Sequence, residues 1–178
     1  MGVTIHYKGK LDTVENIESF CEEMEDIAKS MGWKHTIIDK FDSSDKVAVK
    51  GIIIKPHKKS ESLQLVTDKQ GNLRNAFALE FACDDSTLTF FNSIKTQFAP
   101  VEIHIAVIKL LKYIQQKYIS NLDVYDEGDY WQTGDENILR QKIDFLNKAM
   151  DQLEDALKTV EFRENETAES VADKIEEL

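Results

Sequence analysis

Asp12-Thr13-Val14-Glu15-Asn16-Ile17-Glu18-Ser19-Phe20-Cys21-Glu22-Glu23-Met24-Glu25-Asp26-Ile27-Ala28-Lys29-Ser30-Met31-Gly32 places apolar side chains at positions 14, 17, 20, 21, 24, 27, 28 and 31. That spacing of three and four residues puts them on one arc of a helix, with Glu15, Glu18, Glu22, Glu25 and Lys29 on the opposite face. Asp12 or Thr13 is suited to cap the start and Gly32 to close the end. A helix with one apolar face must bury it against another element. Here Val14, Ile17, Phe20, Met24, Ile27 and Met31 are expected to face a sheet.

The segments on either side supply that sheet. Val3, Ile5 and Tyr7 alternate with polar residues, the pattern of a half-buried strand. Trp33 to Asp39, Val47 to Lys55 and Leu63 to Thr67 read as strands. They are separated by the polar loops Phe41–Lys46 and Lys58–Glu61, and the last is followed by the turn Asp68-Lys69-Gln70-Gly71-Asn72. Ala76 to Ala82 and Thr87 to Phe91 are β-prone around Asp84-Asp85-Ser86 and are expected to form a hairpin. Pro100 opens a second helix with Glu102 near its positive end, and Ile103, Val107, Leu110, Leu111, Ile114 and Tyr118 form its buried stripe. After a short strand from Leu122 to Tyr125, Asp135 caps a third helix reaching about Val160, with Ile138, Leu146, Ala149, Leu153 and Leu157 on its apolar arc. The expected fold is α+β: an antiparallel sheet with helices packed on one face, in β-α-β-β-β-β-α order, plus a long C-terminal helix. Residues 1–160 form a single domain, and residues 161–178 an acidic tail that is frayed or a short helix. The first seven elements are similar in order to one repeat of the TATA-binding-protein-like fold.

Composition narrows the partners. A formal net charge of −11 over 178 residues argues against non-specific nucleic-acid binding and against anionic membrane surfaces. A protein partner or a small anionic ligand is expected instead. Cys21 and Cys83 make neither a disulfide framework nor a metal site, and His6, His35, His57 and His104 are dispersed, so no metal and no cofactor are implied. The N-terminus matches neither a secretory signal nor a myristoylation pattern, and no apolar run reaches spanning length, so a cytoplasmic protein is expected. The third helix, about 39 Å long at 1.5 Å per residue, outruns the sheet it would cover. Its uncovered apolar arc points to a homodimer.

The functional candidates gather around Asp126-Glu127-Gly128-Asp129-Tyr130-Trp131-Gln132-Thr133-Gly134-Asp135, where two large aromatics stand between two of seven glycines among four acidic residues. A loop of that make-up is a candidate recognition site, with Trp131 expected to be partly buried against the start of the third helix and Tyr130 more exposed. Lys95, Thr96 and Gln97 precede the second helix and His104 lies in its first turns. Lys95, Thr96 and His104 could hold a carboxylate or phosphate at a helix N-terminus, or His104 could be a satisfied boundary residue. Lys142 interrupts the apolar arc of the third helix, either as a snorkelling side chain or paired beneath the loop with Asp126, Glu127 or Asp129. Lys55-Pro56-His57-Lys58-Lys59 is a basic cluster that reads as a solvated loop or an acidic-partner contact. No nucleophile elbow is present. These residues describe a non-enzymatic protein-interaction or small-ligand-binding module. The alternative is a small hydrolase or transferase using His104 with a loop carboxylate.

Lys95-Thr96-Gln97-Phe98, His104-Ile105, Leu110-Leu111-Lys112-Tyr113 and Asp126-Glu127-Gly128-Asp129-Tyr130-Trp131 resemble a family of uncharacterised bacterial proteins over roughly Gly51 to Asp135. The resemblance implies a bacterial cytoplasmic origin and assigns no activity and no functional residue.

Overall fold

In the computed structural model, which describes residues 3–41, 48–81 and 91–159, the apolar arc of the first helix is the centre of the core. Helix α1, Ile17–Ser30, buries Ile17, Phe20, Cys21, Met24 and Ala28, with Ile27 half-buried. Two residues expected on that face are not there: Val14 is 39 % and Met31 51 % exposed. Val14 belongs to a 3-10 turn, Val14–Asn16, whose tighter winding takes it off the arc. Met31 is the C-cap, past the last full turn. Asp12 does not cap the helix either. Its carboxylate reaches across the fold to accept the Ser120 backbone N–H at 3.0 Å and the Ser120 hydroxyl at 2.8 Å. Gly32 does end the helix, in the left-handed region at φ 66°, while the N–H of Trp33 donates to the carbonyl of Ala28.

The protein is α+β, and among the described residues every strand pairing is antiparallel. Strands β2 (Lys34–Asp39), β3 (Val49–Lys55), β4 (Leu63–Asp68) and β5 (Leu73–Arg74) form one sheet in that order. In a second sheet, β1 (Thr4–Lys8) lies between β6 (Asn92–Lys95) and β7 (Asp123–Asp126). The expected single sheet is thus two sheets, joined where the chain leaves β1. The Gly9 carbonyl accepts from Leu73 and the Leu11 N–H donates to Gly71, so the first strand passes from one sheet to the other within three residues. Gly9 stands at the crossing, where the chain runs so close to Ile119 that a Cβ would stand 2.7 Å from its side chain. The segment Ala76–Ala82, expected to be β, instead begins a helix, α2 (Ala76–Phe81). Asn75 acts as its cap, its Oδ1 accepting the Ala78 N–H at 3.0 Å, while Gln64 Oε1 takes that of Ala76 at 2.9 Å. The turn at 84–86 and the strand over 87–90 lie outside the described residues, as does the tail at 161–178. The order therefore contains a helix that a TATA-binding-protein-like β-α-β-β-β-β-α repeat does not.

Helix α3, Val101–Lys117, packs beside α1 and buries Val107, Ile108, Leu110, Leu111 and Ile114 in a cluster shared with both sheets. Glu23 ties the two helices from outside this core. It accepts hydrogen bonds from the Tyr113 hydroxyl at 2.5 Å, the Lys117 ammonium at 2.6 Å and the Tyr118 hydroxyl. Partial burial pushes its pKa up, but the three donors outweigh that and hold it at about 2. A short helix, α4 (Tyr130–Thr133), and the long α5 (Glu136–Thr159) complete the fold. Asp135 caps α5 through the Asn137 N–H at 2.8 Å, as the sequence predicts.

Phe20 has no exposed surface and sits edge-on to Tyr118 at 5.1 Å between ring centroids. Phe20→Ala is expected to destabilise the protein by about 3–5 kcal/mol. Urea unfolding monitored by circular dichroism would check this, and a loss below about 1 kcal/mol would contradict α1 as the centre of the core.

Candidate functional site

Three polar side chains meet inside the fold beneath the 126–134 loop. Thr96 follows β6, His104 lies on the inward side of α3 one turn from its start, and Asp126 ends β7. All three are buried. His104 Nδ1 is 2.7 Å from the Thr96 hydroxyl, and Nε2 is 3.1 Å from Asp126 Oδ1, at ion-pair distance but off hydrogen-bond alignment. Asp126 also accepts the Gly128 N–H at 2.7 Å and the Trp131 N–H at 2.9 Å. Burial pushes the Asp126 pKa up, but His104 and the two N–H donors outweigh it and hold the carboxyl below the usual carboxylate range.

Hydroxyl, imidazole and carboxylate in this order resemble a catalytic relay, but the Thr96 oxygen is turned in against the Val3 carbonyl, and none of the three meets solvent. What the arrangement does is fix the loop. Gly128 passes so close to it that a Cβ would stand 2.6 Å from Leu139 Cδ1 and 3.1 Å from His104 Cε1. Asp129 then takes the left-handed conformation at φ 59°, unusual for a residue with a side chain, and turns the chain into α4.

The residues singled out from the sequence are only partly brought together. Thr96 and His104 are consumed by each other and by Asp126. Lys95 stands apart with its ammonium 5.4 Å from the centre of the Phe98 ring and its N–H on Glu61. Gln97 is buried, with its amide directed at Met150 Sδ. The anion-holding cluster of Lys95, Thr96 and His104 is therefore not assembled at the start of α3. Tyr130 and Trp131 are both half-buried in α4. Trp131 is partly buried, as expected, and packs on the main core, with the Lys112 ammonium 5.5 Å from its ring centre. Tyr130, expected to be more exposed than Trp131, packs against both the main core and a smaller cluster of Val3, Ile105, Leu139 and Ile143. Lys142 lies beneath the loop: its ammonium pairs with Asp129 at 2.6 Å and donates to the Glu127 carbonyl at 3.0 Å, its side chain 40 % exposed. In the basic cluster, the Lys55 ammonium donates to the Ser60 carbonyl and so closes its own turn.

The sequence reading passed over the surface next to Lys142. Register pairs His6 with Tyr125 and Lys8 with Asp123, so these side chains share the face of the second sheet turned from the core. The His6 ring is 5.8 Å from that of Tyr125. Glu127 is anchored there by the Thr4 N–H at 2.9 Å, its other oxygen 3.3 Å from His6 Nε2. Between this edge and α5 runs a groove of about 570 Å³ whose walls are Tyr125, Glu127 and Asp129 on one side and Ile138, Lys142 and Phe145 on the other. Two signals could have found it: Tyr125 alternates with the inward Asp126, and Phe145, seven residues after Ile138, extends the edge of the apolar arc that Lys142 interrupts.

Comparison of the chain with protein-family models, with curated proteins and with solved structures found no match. Among the described residues no helix is long and apolar enough to cross a membrane, and no three His, Cys, Asp or Glu side chains come together to hold a metal ion.

Asp126→Asn keeps the shape of the side chain but sets an amide N–H where a carboxylate oxygen faced a donor. A loss of about 1–3 kcal/mol is expected near neutral pH. Because the folded pKa of Asp126 is depressed, its contribution is complete above the unfolded value of about 3.9 and disappears as pH falls through the folded value. The gap between wild type and variant in urea unfolding should therefore narrow on acidification, and a gap that stayed constant would refute a charged Asp126.

Proposed function

We propose that this protein is a non-enzymatic recognition module whose binding site is the groove between β7 and α5. One observation carries the reading. Tyr125 and Phe145 are 63 % and 72 % exposed, more than any other large apolar or aromatic side chain described, and both line the same groove. Isolated exposed aromatics are unremarkable, but two framing one concavity of ligand size beside fixed charges favour binding. The hydrolase or transferase alternative needs His104 to meet a substrate, and the burial of His104 supports the binding reading over it. A bacterial cytoplasmic setting belongs to the proposal on the strength of the sequence resemblance.

Screening a fragment library against the isotope-labelled protein by amide chemical shifts tests the site. Hits should perturb residues 125–129 and 138–146 together. Tyr125→Ala should remove those responses while leaving the melting temperature within about 2 °C, as expected for an exposed side chain. Hits confined to other surfaces would dismiss the groove.

Self-association is a second part of the proposal, with its own support. Beyond the groove, Met150 and Leu153 continue the apolar side of α5 and are 44 % and 49 % exposed. A two-fold pairing of α5 with its copy would cover them. Light scattering should give a dimer mass at high micromolar concentration, and Leu153→Glu should return it to a monomer. A monomeric wild type at that concentration removes the idea.

A further inference from the structure

The charges around the groove are not balanced, and the imbalance bears on what it takes. Lys142, its positive side chain, is already paired with Asp129 at 2.6 Å and held by the Glu127 carbonyl at 3.0 Å. Glu127 keeps its carboxylate at the groove, fixed by the Thr4 N–H at 2.9 Å on one oxygen and 3.3 Å from His6 Nε2, outside the lining, on the other. Among the lining side chains, Glu127 and Asp129 against Lys142 leave one negative charge in excess. Tyr125 and Phe145 line the same groove as this carboxylate, and aromatic rings have electron-rich faces that attract cations. The chain as a whole, at −11, draws cations towards its surface. An anionic ligand would find the one lysine of the lining already paired and would face the Glu127 carboxylate.

We infer that the groove binds a small organic cation, an aromatic or branched aliphatic body carrying a protonated or quaternary ammonium. The ammonium sits at Glu127 between the two rings, and the body lies on Ile138 and Leu146. This rests on the groove being the recognition site, so the test separates the charge preference from the site itself.

Three probes of similar size on one indole ring are titrated into the full labelled chain: tryptamine, neutral 3-propylindole and anionic indole-3-acetate. Tryptamine is expected to shift the amides of residues 125–129 and 138–146 saturably, with Kd on the order of 1 mM or tighter. The neutral probe should bind at least about tenfold more weakly and the anion not measurably. Glu127→Gln should weaken tryptamine about tenfold. Phe145→Ala, which removes a ring 72 % exposed and not needed for folding, should abolish the response. Equal binding of the neutral probe, or tighter binding of the anion, overturns the cation preference and leaves the groove as a site. Absence of any tryptamine shift at about 10 mM, with library fragments still filling the groove, overturns it as well.

Discussion

Withdrawing the Asp126 carboxylate from water costs several kcal/mol in hydration, and the local structure is arranged to offset that cost. Two backbone N–H groups, from Gly128 and Trp131, point at its oxygens, and His104 stands behind it. Each partner comes from a different stretch of chain: the end of β7, the loop, the start of α4 and the first turns of α3. A carboxylate in this position acts as a fastener, because any movement of one element leaves a charge or a donor without its counterpart. Thr96 extends the same chain of contacts to the end of β6. The second sheet, α3 and the loop are therefore held in one geometry by polar contacts as well as by packing.

That rigidity makes the groove a defined shape. The loop residues from 126 to 131 could sample many conformations as a free peptide. Here Gly128 is pressed against Leu139 and His104, Asp129 is in the left-handed region, and Trp131 is packed on the core under Lys112. Glu127, between these fixed points, has its carboxylate pinned by Thr4. A charge already immobilised before a ligand arrives loses little entropy on binding, which is how preorganised sites gain affinity without large contact areas. The aromatics that looked most functional in the sequence, Tyr130 and Trp131, serve to hold the loop, and the one that meets the groove is Tyr125.

The sequence made local features legible and left assembled ones hidden, for physical reasons. The arc of α1 and its closing Gly32, the cap at Asp135 and the pairing of Lys142 beneath the loop all follow from spacing along one element or from charge set close to its counterpart. Asp12 departs from the expected cap because a carboxylate before a helix has two uses, and the choice of Ser120 depends on where α3 ends in space. α2 was misread because Ala-Phe-Ala-Leu-Glu-Phe alternates weakly, while the side chains that hold its first N–H groups come from the neighbouring Asn75 and the distant Gln64. The expected single sheet is two because the chain leaving β1 pairs onward with the β2–β5 sheet at Gly9 and Leu11, and no pattern within eight residues announces partners at Leu73 and Gly71. His104 was recognised as a boundary residue or a functional one, but its burial depends on Asp126, 22 positions on, and on Thr96 across the sheet.

Helix α5 connects these parts. Its first half is fixed by Leu139 and Ile143 against Val3 and Ile105, and by Arg140 reaching Glu102 at 2.9 Å. Its middle forms the far wall of the groove, and its exposed second half carries Met150 and Leu153. A helix is stiff along its axis, so the width of the groove and the direction of the apolar extension are set by the same few anchors. The Lys142–Asp129 pair is the one ion pair among these that spans the groove from α5 to the loop. It is half-exposed and so contributes little to overall stability. Its effect is geometric: it sets the distance between Phe145 on the helix and Tyr125 on the strand, and it does so by using the positive charge that would otherwise cancel Glu127. The contact that shapes the groove is also the one that leaves it negative.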